Sequence, residues 1–288
     1  MSDGWRSYLP RRFRNFLRRR PRVTIIRLSG VIGAVGPMRS GLCLRELEPV
    51  LERAFEYSRL SAVALVINSP GGSPVQSALI AERIRQLAEE HEVPVLAFVE
   101  DVAASGGYWL ACAADEIFAD ENSVIGSIGV ISASFGFHDF ISRHGIERRI
   151  HTAGECKAML DPFRPEDAGD VERLKALQAE IHGNFADMVR RRRGDRLPSA
   201  SEALFTGEFW LGKRALGLGL IDGLEDMYSH LRKRFGERVR LIPIDEERGW
   251  IARHIGLAHS APAALAPAAV GAVISAVEQR ALWARYGL

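Results

Sequence analysis

Two continuous apolar runs, 62–67 and 95–99, each lead into a turn built of small residues and glycine. The first turn reads Asn68-Ser69-Pro70-Gly71-Gly72-Ser73, the second Ala103-Ala104-Ser105-Gly106-Gly107-Tyr108. A short uninterrupted apolar run that stops at turn residues reads as a strand buried on both faces, and such strands belong to sheets covered by helices. Helical spacing follows each turn: Ala78, Leu79, Ile84 and Leu87 within 75–89, and a small, apolar helix start at 105–114. Further strands are expected at 23–28, 128–134 and 148–151, and helices at 44–57 and 166–192. The long helix should turn Val171, Leu174, Leu177, Ile181, Phe185 and Met188 inward. The alternation continues through 210–216, 221 and 224–235, so the fold class is α/β.

Composition narrows the class further. With 47% hydrophobic and 26% charged residues, the 288-residue chain is neither a disordered polymer nor a disulfide scaffold. Its three cysteines, Cys43, Cys112 and Cys156, form no CxxC pair, so no structural zinc is expected. The net charge of +2 hides an uneven distribution. Residues 1–22 hold eight arginines and one acid, leaving a mildly acidic body. The chain divides into a basic amphipathic tail (1–22), a core domain (23–243) and an Ala-rich helical appendage (244–288). The stretch between Arg253 and Glu278 has no formal charge but carries Pro262, Pro267 and Gly271. It reads as a surface or interface helix rather than a membrane span.

The two glycine turns lie where strands hand over to helices, the edge at which open α/β sheets bind ligands. A helix start offers unpaired N–H groups, and a serine there is presented beside donors. Acyl transfer asks for that layout, a nucleophile next to an oxyanion hole. On the tripeptide alone, Ser105 is as well explained as a helix cap, and Gly71-Gly72 as a loop needing positive φ.

The combination is more specific. The segments NSPGGSPVQSALIAERI and VEDVAASGGYWLACAADEIFADENSVIGSIGVI resemble the signal peptide peptidase A family of serine peptidases, across roughly residues 23–240. The resemblance implies a Clp protease/crotonase-like fold of repeated ββα units in a single catalytic domain. It implies that Ser105 is the nucleophile and that Lys157, in Gly154-Glu155-Cys156-Lys157, is the general base. Gly72 and Gly106 match the glycines whose amides form the oxyanion hole, and Ser127 in Gly-Ser-Ile-Gly is a candidate to orient the lysine. It also implies a homo-oligomeric ring, in which serine and lysine can come from neighbouring subunits.

Independently of the resemblance, Lys157 stands among small or apolar neighbours, whereas Lys175 and Lys213 sit in charged surroundings. A base lysine must be neutral, and desolvation lowers its pKa. An ordinary surface lysine is the competing reading, and His138 and His144 are the candidates for a histidine base. In the expected reaction, Lys157 takes the Ser105 proton as the oxygen attacks a peptide carbonyl, then protonates the leaving amine, and water deacylates the enzyme. The chemistry requires no metal or other cofactor. Tyr108, Trp109, Ile128 and Val130 could line a pocket for an apolar substrate side chain, though each taken singly reads better as core. A crotonase-like acyl-CoA enzyme with Asp115 or Glu116 as base, and a non-catalytic membrane scaffold, are the alternatives.

Peptides are thus the expected substrates. In the tail, Leu9, Phe13, Phe16 and Leu17 share one helical face opposite arginines, which suits an anionic membrane surface better than a free arm or nucleic acid. No nucleic-acid partner is expected. Family members begin with a membrane helix, and this tail stands in its place. The protein is therefore read as cytoplasmic, held peripherally at the inner membrane surface through residues 5–22.

Overall fold

A computed structural model describes residues 20–33, 41–199, 202–244 and 280–287. Most of the basic tail and of the 244–288 appendage, with the membrane contact expected of residues 5–22, lies outside the described residues.

The elements run β1 (Arg22–Ser29), α1 (Leu44–Phe55), β2 (Leu60–Ser69), α2 (Pro74–Glu90), β3 (Val95–Ala104), α3 (Gly106–Ala111), β4 (Glu116–Ala119) and β5 (Val124–Gly126). They continue with α4 (His138–Arg143), α5 (Ala168–Arg193), β6 (Phe209–Leu211), α6 (Gly212–Gly217), β7 (Gly223–Leu224), α7 (Met227–Phe235) and β8 (Arg240–Pro243). The strands form one sheet in the order β6-β5-β3-β2-β1-β8, with β4 also beside β3 and β7 beside β4. All pairings are parallel except β5 with β6. The chain is therefore α/β, as its buried apolar strands require.

Pleating sorts the strand residues into two cores. Val63, Leu65 and Ile67 of β2 pack with α1, α2 and α3 on one face. Ala62, Ala64 and Val66 face the other way, against Met227 and Leu231 of α7. Because both faces are covered, polar alternation is absent from β2, and its sequence reads as an apolar block.

β3 forks. Leu96–Val99 pair with β4, whereas Val102–Ala104 pair with β5. Between the two, Glu100 and Asp101 are exposed. Glu100 pairs with Arg27, and Asp101 accepts a hydrogen bond from the Asn68 side chain at 2.6 Å. Relative to β2, β3 gains two residues across this stretch, since Ile67 is opposite Val99 but Ser69 is opposite Ala103. An even insertion keeps side chains on their own faces. Ala103 accordingly joins the core under α2, while Val102 and Ala104 lie on the other face with Val124, covered there by Trp283 and Tyr286.

Two expected strands are absent. Residues 128–134 and 148–151 are extended or irregular and mostly exposed, with no neighbouring strand to pair with. They belong to a largely exposed arm, residues 129–167, whose one helix, α4, buries no residue. The long helix α5 buries only its second half, through Phe185, Ala186, Met188, Val189 and Arg193, and Leu177 is exposed. Among the described residues, no helix is long and apolar enough to cross a membrane.

Candidate active site

The first glycine turn is braced by the loop that follows β1. Ile32 N–H donates to Gly71 O at 2.9 Å, and Ser73 N–H donates to Ile32 O at 2.8 Å. Ser69 Oγ donates to Gly30 O at 2.7 Å and accepts from Gly71 N–H. Ser73 then caps α2 by accepting from Gln76 N–H, with Pro74 in the first helical turn, where a missing N–H costs nothing. Gly71 and Gly72 have φ of 102° and 146°, and a Cβ on Gly72 would lie 2.1 Å from Ile32 O. The loop requirement for glycine is therefore real at this turn.

The second turn is strained at a residue that is not glycine. Ser105 has φ 52° and ψ −122°, a conformation that L side chains rarely adopt. It occupies the position before α3, yet its hydroxyl makes no capping hydrogen bond. The helix-cap explanation of this serine therefore fails, whereas Ser73 satisfies it. Among the described residues, the Ser105 hydroxyl has no hydrogen-bond partner. Its amide donates to Gly126 O at 2.8 Å, which ties the turn to β5.

The two turns meet backbone to backbone. A Cβ on Gly71 would lie 2.8 Å from both Gly106 N and Ser105 Cβ. One on Gly106 would lie 3.4 Å from Gly72 N and 2.4 Å from Ser77 Oγ. Side chains at these positions would part the turns, so the glycines bring the Gly72 and Gly106 amides together beside Ser105. Among the described residues, neither amide donates to a turn or loop carbonyl. Two free N–H groups next to an unengaged hydroxyl are what a developing oxyanion requires.

Behind Ser105, α3 is anchored in the core. Tyr108 donates to Leu220 O at 2.8 Å, and Trp109 stacks on Phe185 with ring centroids 4.7 Å apart. Tyr108, Trp109 and Ile128 are buried core residues, while Val130 is half-buried. Burial pushes the Cys112 thiol up to about 11, so it stays protonated and unreactive at neutral pH. Arg193, 2% exposed, holds Asp222 through two bonds of 2.8 and 2.9 Å and donates to Gly219 O.

The other expected site residues are placed differently. Ser127 is buried, with φ 52°, and donates its amide to Glu208 O at 2.7 Å. Tyr286 donates to its hydroxyl at 3.2 Å. Lys157 is on the arm and exposed, its amide bonded to Gly154 O. Among the described residues, its ammonium has no ion pair or hydrogen bond. His138 and His144 are exposed on and beside α4. Asp115 is engaged by Arg85, Arg192 and the Val95 amide, and Glu116 by Arg234, so neither acid is available as a base. Sequence reading missed the Ile32 brace and the Tyr286 contact. Glycines 30 and 33, flanking the brace, were its only local signal.

Comparisons with known proteins bear on this geometry. The chain is 49% identical over 286 residues to a Brucella melitensis protein named Na(+)/H(+) antiporter NhaA, covering 97% of this chain but 38% of that protein. It is 32% identical over 213 residues to the chloroplastic serine protease SPPA of Arabidopsis thaliana, covering 71% of this chain and 31% of that one. It is 33% identical over 187 residues to protease 4 of Haemophilus influenzae, covering 64% and 29%. The chain thus spans less than half the length of each of these relatives, and the antiporter name belongs to a protein mostly outside the match. The family described as peptidase family S49 matches residues 88–235, a span that includes the Ser105 turn, β5 and the arm. The chain belongs to peptidase family S49, the signal peptide peptidase A family of serine peptidases.

Proposed function

We propose that the chain is a serine peptidase that cleaves extended peptides with a Ser105–Lys157 dyad. The observation that carries this reading is the Ser105 turn, a strained serine whose hydroxyl is unengaged among the described residues and which lies beside the Gly72 and Gly106 amides. Neutral Lys157 accepts the Ser105 proton while Oγ adds to the peptide carbonyl. The Gly72 and Gly106 amides hold the resulting oxyanion. Collapse breaks the C–N bond, the lysine ammonium protonates the departing amine, and water then hydrolyses the acyl-serine.

We place the lysine in a neighbouring copy of the chain. Lys157 is exposed, and its arm carries Ile131, Phe135, Phe137, Phe140 and Ile146 in the open, with Phe135 77% exposed. Apolar side chains gathered on one arm are a normal sign of a partner surface. A ring in which each arm crosses to the next subunit covers them and removes water from the lysine, which favours its neutral form.

The test is hydrolysis of a casein or fluorogenic peptide substrate by the full chain and by Ser105→Ala and Lys157→Ala variants. Each single variant should fall to background, because dyad members act as a unit. Mixing the two inactive proteins should restore part of the activity if the dyad is shared between subunits. Activity retained in Lys157→Ala overturns the lysine base and returns His138 or His144. An inert wild-type chain overturns the peptidase reading and favours the scaffold.

A further inference from the structure

Beyond the fork, the even-numbered face of β3 is covered by the chain itself. Val102, Ala104 and Val124 are buried there, and the side chains packed over them are Trp283 and Tyr286 of the 280–287 segment. Phe209 of β6 closes the same patch, meeting the Tyr286 ring edge-on at 5.2 Å between centroids. Ala104 immediately precedes Ser105, and Ser127 immediately follows Gly126, whose carbonyl holds the Ser105 amide. The Tyr286 hydroxyl donates to Ser127 Oγ at 3.2 Å. The segment therefore sits within one residue of the serine turn on both strands that form it. Ser127 is also the residue read above as orienting the lysine. The Tyr286 donor takes one of the two lone pairs through which that hydroxyl could accept from an incoming ammonium.

We propose that the 280–287 segment is an autoinhibitory strap, docked on the β3–β5 face beside Ser105 and released when peptide and the lysine-bearing arm engage the site. The docking half of this inference stands on the contacts alone. The inhibitory half rests on the serine peptidase reading. The anchors differ in kind: Trp283 and Tyr286 supply apolar burial, and the Tyr286 hydroxyl supplies the one polar tie. Two aromatic anchors on a short helical turn suit reversible docking, because a helix this short has little stability in water by itself.

Two full-length variants test it, Tyr286→Phe, which removes only the hydroxyl, and Trp283→Ala/Tyr286→Ala, which removes both anchors. The first readout is hydrogen exchange of the 280–287 amides by mass spectrometry. Wild type should protect them, and the double variant should exchange at unstructured rates. The second is the rate at which a fluorophosphonate probe labels Ser105. Tyr286→Phe should label about threefold faster, the weight of one hydrogen bond, and the double variant about tenfold or more. Exchange that is already unprotected in wild type overturns docking. Normal protection in wild type, lost in the double variant with no change in labelling rate, overturns inhibition. No labelling of Ser105 in any of the three proteins is instead a failure of the peptidase reading, and exchange then decides docking on its own. A synthetic peptide spanning residues 281–288 guards against misfolding of the double variant, since added in excess it should slow the faster labelling again.

Discussion

The amide of Ser105 is bonded to the carbonyl of Gly126 at 2.8 Å, and this link helps hold a β-carbon-bearing residue in backbone space that glycine prefers. Serine at this position costs stability that the surrounding turn makes up. Ser105→Gly should therefore raise stability by about 1 kcal/mol while removing all peptidase activity. Chemical unfolding of the two proteins checks this. A Ser105→Gly chain less stable than wild type would show that the turn is not strained.

The meeting of the two glycine turns gives a graded expectation. Gly72→Ala places a methyl against the Ile32 carbonyl and should cost roughly 1–3 kcal/mol along with activity. Gly106→Ala meets Ser77 Oγ instead, a buried hydroxyl that donates to Ser73 O. Adding Ser77→Ala to Gly106→Ala should recover most of the lost stability. Thermal unfolding of the single and double variants reads the coupling.

Arg193 joins the end of α5 to Asp222, whose carboxylate also receives the Ile117 amide at 2.7 Å. Truncating one member of a buried, hydrogen-bonded pair leaves its partner uncompensated. Arg193→Ala should destabilise the chain by about 3–5 kcal/mol. Arg193→Lys should recover little of this, since an ammonium cannot reproduce the two-pronged contact. Denaturant midpoints measure both.

The Cys112 thiol titrates from 9.0 in the open chain to about 11 in its buried position. Between those values the folded protein keeps a proton that the unfolded chain has lost. Stability should therefore fall as pH rises through that window, and Cys112→Ala should flatten the fall. Burial raises the neighbouring Tyr108 hydroxyl in the same sense. Urea unfolding at pH 8 and pH 10 gives the slope. At pH 8, iodoacetamide should modify exposed Cys156 and spare Cys112 in the native protein.

The strands at 62–67 and 95–99 were readable because sheets covered on both faces leave an unbroken apolar record. The continuation of β3 to Ala104 was not, because Glu100 and Asp101 interrupt that record where the strand changes partner. Strand character at 128–134 and 148–151 was misleading, since β-branched residues there meet no neighbour. The same holds for Leu177 in α5, whose helical spacing points inward although the side chain is half exposed. Ser105, Gly72 and Gly106 were legible as two turns, and only the fold could bring those turns into contact. No local signal tied Ser127 to Tyr286, which are 159 residues apart.

The fork in β3 separates foundation from tool within a single strand. Its first half is locked between β2 and β4 in the main sheet, while its last three residues lean on the three-residue strand β5 and, through it, the equally short β6. Strain at the serine turn is borne by this small outlying ribbon, which can shift without disturbing the register of the sheet behind it. Changes in the ribbon would therefore fall on the serine turn and leave the part of the molecule that makes it fold as it is.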